Sequence, residues 1–209
     1  MRADPPICSL TRFRARFRLF SHAASLRSLH TNEEGSVSLQ SDTLRVLAEL
    51  LGMPDDDALP RLHDLQATQP WLGEAIAEVE SLPLAEWQAE CTRLFISGHP
   101  KTVCPPFASA YREGRMCGAA AEELSGLYAR IGLQASSVPP DYLGAMLECA
   151  AYLLESEGET GEHWHELWDG QLAPWVPAFA EDLRRQSALE LYRAMGEQLS
   201  ELFPPTPDA

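Results

Sequence analysis

From Ser41 onward, apolar residues return every three or four positions, and the breaks between runs fall at glycine and proline. In SDTLRVLAELLGMP, Leu44, Leu47 and Leu51, with Val46 and Leu50, share a helical face. Ser41 or Asp42 stands where a cap is needed, and Gly52 followed by Pro54 stops the run. A short helix follows the acidic cap of DDDALPRLHDL, and another fits WLGEAIAEVESL. LAEWQAECTRLFISG places Trp87, Cys91, Leu94 and Phe95 at i, i+4, i+7 and i+8 and ends at Gly98. AAAEELSGLYARIG turns Leu124, Leu127, Tyr128 and Ile131 inward, with Gly132 as terminator.

In SSVPPDYLGAMLECAAYLLESEG, Pro139 and Pro140 sit at a helix start and Asp141 in its first turn. Leu143, Met146, Leu147, Ala150 and Leu154 make a stripe wide enough for a central core helix. Residues 162–203 supply two or three more helices, interrupted at Pro174 and Pro177, and PPTPDA is a tail. The expected fold is all-α, a single-domain helical bundle over residues 41–202, with an N-terminal extension over 1–40 and a tail over 203–209.

Charge sharpens this division. Residues 1–40 hold six arginines and three acids, whereas residues 41–209 hold ten basic and twenty-eight acidic side chains. The body, at −18, repels nucleic acid and attracts cationic ligands or peptides. The extension reads either as a basic arm for an anionic surface or as a poorly ordered leader. Its segment RFRARFRLF sets arginine at every second position, which rules out the uncharged core of a signal peptide. No stretch approaches the roughly 18 apolar residues a membrane helix needs. Five cysteines with no CxxC spacing suggest reduced thiols and a cytoplasmic protein.

Candidate chemistry is sparse. His99 near Cys104 could form a thiol–imidazole pair, but no third orienting group is marked. In EHWHEL, His163 and His165 fall about 200° apart on a helix and cannot share one ion. The HExxH pattern fails at Asp169, leaving only His163 or Glu162 with Glu166 as facing pairs. No phosphate-cradling loop is present, so neither a catalytic residue, a metal nor a cofactor is expected. The unusual segment is FISGHPKTVCPPFASAYREG, too apolar for a solvent connection and too rich in proline to continue a helix. Its Phe107 and Tyr111 either clasp a ligand from a preorganised loop or plug the bundle.

The order CTRLFISG…CPPFASAY, then LYARIGL…VPPDYLGAMLE, then LAPWVPAF resembles the TorD, DmsD and NarJ family, chaperones that mature molybdenum-containing oxidoreductases. The resemblance covers about residues 41–202 and implies a helical, non-catalytic chaperone in the cytoplasm. Such a protein holds the twin-arginine leader of a molybdoenzyme catalytic subunit until cofactor insertion and assembly are complete. It maps peptide binding onto Phe95, Pro106, Phe107, Ser109 and Tyr111, and onto Pro139, Asp141 and Tyr142. The family's usual histidine after the aspartate is Tyr142 here, which removes a group titrating near neutrality.

An acidic exterior with an aromatic, proline-shaped loop suits a partner that is basic at one end and apolar at the other. Asp141 reads either as a contact for a peptide cation or as a helix N-terminal acid. Other readings stay open: a NarJ-like chaperone of a non-exported reductase subunit, or a small thiol- or metal-dependent enzyme. Some family members bind guanine nucleotide or a pterin, for which no motif exists here. The expected state is a monomer or a dimer that exchanges segments.

Overall fold

The computed structural model describes residues 16–17, 34–98 and 101–204. Among them ten α-helices follow one another: α1 (Glu34–Leu50), α2 (Ala58–Gln66), α3 (Gly73–Glu80), α4 (Leu84–Cys91), α5 (Ala108–Glu113), α6 (Ala119–Arg130), α7 (Leu143–Glu157), α8 (Glu162–Leu167), α9 (Val176–Gln186) and α10 (Glu190–Leu202). The fold is all-α, and the only ladder among the described residues joins the two-residue strands β1 (Arg16–Phe17) and β2 (Ala135–Ser136).

α7 is apolar nearly all round, and ten of its fifteen residues are buried, so it runs through the core as its stripe predicts. α1 packs along it with Leu44, Val46, Leu47 and Leu50 inward. α9 and α10 form a second pair. Gly196 permits their close approach, because a Cβ there would lie 2.8 Å from the Ala180 carbonyl oxygen.

Three boundaries differ from the sequence expectation. α1 begins at Glu34 rather than at a Ser41 cap, and Ser41 is instead buried, its Oγ donating to Glu155 Oε1 of α7 at 2.9 Å. α7 begins at Leu143, so Asp141 lies before the helix and not in its first turn. Pro177 sits within the first turn of α9, where its missing N–H breaks nothing. The chain is interrupted earlier, after a π-helical turn at Trp168–Leu172 that continues α8.

A matching π-turn, Thr92–Ile96, continues α4. The extra residue per turn re-aims the side chains that follow. Phe95 thereby enters the core between Phe179 and Tyr192, at centroid distances of 6.4 and 5.2 Å. The described chain contains no helix long and apolar enough to cross a membrane.

Candidate functional site

Pro105 and Pro106 cannot donate backbone hydrogen bonds, so the segment before α5 must find its order elsewhere. It finds it against the entry to α7. Phe107 and Tyr142 form an antiparallel bridge, the Ala108 amide donates to the Asp141 carbonyl at 3.0 Å, and the Leu143 amide donates to the Pro106 carbonyl at 2.9 Å. The loop's other end is tied to the π-turn of α4, where the Cys104 amide donates to the Leu94 carbonyl at 2.8 Å.

Asp141 completes the unit. Its side chain is 1% exposed, and Oδ2 accepts from the Ser109 amide at 3.1 Å and the Ser109 hydroxyl at 2.5 Å. Ser109 is the second residue of α5, so the carboxylate satisfies an orphan donor of a helix remote in sequence. Asp141 Oδ1 is buried without a hydrogen-bond partner. Around it, Tyr128 donates its hydroxyl to the Pro140 carbonyl at 2.9 Å, and Tyr142 donates to the Leu51 carbonyl at 3.2 Å. Burial pushes the Tyr142 phenol above its usual range.

The structure therefore brings Pro106, Phe107, Ser109, Pro139, Asp141 and Tyr142 into one paired unit. Of the predicted residues, Phe95, Pro106, Ser109, Asp141 and Tyr142 are buried, while Phe107, Tyr111 and Pro139 keep part of their surface exposed. The Phe107 ring lies 5.6 Å from that of Tyr142. Tyr111 faces α9: its ring lies 5.4 Å from Trp175 and 6.0 Å from Phe179, and its hydroxyl donates to Asp182 Oδ2 at 3.0 Å. Burial first, then the neighbouring Asp182 charge, raises the Tyr111 phenol well out of reach of neutral pH.

Asp182, with Trp175 and Phe179, belongs to this neighbourhood although the motifs did not single it out. The available signal was helical spacing, since 175, 179 and 182 fall at i, i+4 and i+7 and put an acid on an apolar stripe. A shallow cleft lies elsewhere, lined by Leu50, Met53, Leu62, Leu65 and Trp87 together with Arg61, and none of the eight predicted residues lines it.

Of the residues weighed for catalysis or metal binding, His99 lies outside the described residues. The Cys104 thiol is buried, and that burial, reinforced by the Asp182 charge, pushes it up to about 12. His163 Nδ1 is 2.8 Å from Glu157 Oε1, and Glu166 is paired with Arg130. Among the described residues no three histidine, cysteine or carboxylate side chains converge as metal ligands would.

The family model of the nitrate reductase delta subunit matches residues 57–181, more than half of the chain. The chain matches no curated protein. Its fold is similar to the crystal structure of a "putative redox enzyme maturation protein" from Archaeoglobus fulgidus, with a TM-score of 0.58 and 24% sequence identity over 85% of this chain and 99% of that one. The paired unit lies wholly inside the matched span, and the chain belongs to the nitrate reductase delta subunit family, the NarJ/TorD-type chaperones.

Proposed function

We propose that the protein is a cytoplasmic maturation chaperone that binds the N-terminal leader of a molybdenum-containing oxidoreductase subunit until cofactor insertion and assembly are complete. The observation that carries this reading is the pairing of the Pro106–Ser109 and Pro139–Leu143 segments, which holds a preformed surface and leaves the Phe107 and Tyr111 rings partly exposed on it. A rigid aromatic surface loses little entropy on binding, and the acidic body draws in a basic leader. Asp141 serves as a positioning residue, because its side chain is turned to Ser109 and away from water. Phe107, Tyr111 and Pro139 make the direct contacts.

Titration of a synthetic leader carrying paired arginines and an apolar stretch tests this. Phe107→Ala and Tyr111→Ala each weaken binding about tenfold, as loss of an aromatic anchor does. Leu65→Ala, in the separate cleft, leaves it unchanged. Loss of binding in the cleft variant with none at Phe107 and Tyr111 moves the site to the cleft. The family's description as the nitrate reductase delta subunit favours a second reading, in which the client is a non-exported reductase subunit. Equal affinity for leaders with and without paired arginines selects that mode.

A further inference from the structure

β2 (Ala135–Ser136) lies in the link between α6 and α7, three residues before Pro139. Its edge is covered by β1, which pairs antiparallel with Arg16 opposite Ser136 and Phe17 opposite Ala135. β1 belongs to RFRARFRLF, residues 12–20, where arginine alternates with an apolar residue. In the sequence that is an alternation of period two, the period that a strand has. The extension is basic and the body strongly acidic, so the two attract each other within the chain.

We propose that the arm, through Arg16–Phe17, is a built-in stand-in for the client leader: it adds a strand at Ala135–Ser136 beside the paired unit, and a leader binds there by displacing it. This rests on the leader-binding reading above. Strand addition recognises backbone groups and an alternating side-chain pattern, so two unrelated basic and apolar segments can compete for one edge. A ladder of two residues is marginal in stability. The arm therefore holds the edge by proximity more than by contact energy, as an exchangeable plug must. It keeps the edge from pairing with another chain while no client is present.

Phe17→Pro in the full chain breaks the pairing without altering charge. The variant should bind the synthetic leader roughly fivefold tighter than wild type, since an intramolecular competitor is gone. A peptide of residues 11–20 added in trans should then displace the leader. Hydrogen exchange at residues 134–137 should speed up in the variant and slow again when leader is added. Unchanged exchange overturns the docked arm. Faster exchange with equal leader affinity overturns the competition and leaves leader binding standing. A leader bound by neither chain sinks the chaperone reading along with this one. Arm-dependent binding to phosphatidylglycerol vesicles, with no protection at 134–137, assigns the arm to an anionic surface and also overturns it.

Discussion

The Asp141 and Glu90 carboxylates are both withdrawn from water, at 1% and 8% exposure, and both join segments distant in the chain. Glu90, at the end of α4, holds Arg93 by two hydrogen bonds of 2.7 and 2.8 Å and accepts from the Ala188 amide at 2.7 Å, fastening the α9–α10 turn. Its charge is met by a cation. Among the described residues Asp141 meets no cation: its partners are the amide and hydroxyl of Ser109, and one oxygen goes without. Glu90 is a brace between helices, whereas Asp141 fixes the geometry of the aromatic loop that the proposed function uses. A buried carboxyl group held only by an amide and a hydroxyl is sensitive to every atom around it.

The largest expected effect follows from that sensitivity. Asp141→Ala orphans two buried donors of Ser109 and should cost about 3 kcal/mol in urea unfolding. Glu90→Ala should cost about 1–2 kcal/mol, because the Arg93 side chain is 40% exposed and can return to water. A larger loss at Glu90 than at Asp141 would break the comparison.

Acid should separate the two next. Burial by itself raises the Glu90 carboxyl, but the Arg93 hydrogen bond, the Ala188 amide and the Ser187 hydroxyl together hold it below the usual carboxylate range. The unfolded chain therefore takes up that proton first, near pH 4.3 for an ordinary glutamate. The resulting stabilisation is complete above that pH and is lost as pH falls through the folded value. The wild-type advantage over Glu90→Gln in denaturant midpoint should shrink between pH 6 and 3. A gap that stays constant would show that Glu90 carries no such linkage.

The smallest effect concerns thiol reactivity. Cys117 is exposed, while Cys91, Cys104 and Cys149 are buried, with the Cys91 thiol raised to about 11 chiefly by burial. Of these four described cysteines, a thiol reagent should modify Cys117 first in every variant. Asp141→Ala should speed the Cys104 reaction roughly tenfold by loosening the loop, and Glu90→Ala should leave it near the wild-type rate. Equal acceleration by both would show that the two carboxylates serve one cooperative unit.

Helical spacing made most of the fold legible. Leu44, Leu47 and Leu50 of α1, Leu124 and Leu127 of α6, and the stripe of α7 are all buried as their periodicity requires. The ends were less legible, because a π-turn or a remote hydrogen bond leaves no period. Ser41 reads as a cap, yet its hydroxyl is drawn to Glu155, 114 residues away. In the site, Pro106, Phe107, Ser109 and Asp141 stand out by residue type, but nothing local says that Asp141 faces Ser109, or that Asp182 meets Tyr111.

The sequence by itself determined the all-helical class, the acidic body and the two proline-marked segments, since periodicity, charge and missing backbone donors are local properties. Tertiary structure alone decided that those segments pair, that Asp141 is buried while Phe107 and Tyr111 stay partly exposed, and that a basic strand lies on the edge at Ala135–Ser136. Such partnerships depend on which buried groups remain unsatisfied once the helices have packed, and no window of sequence contains that information.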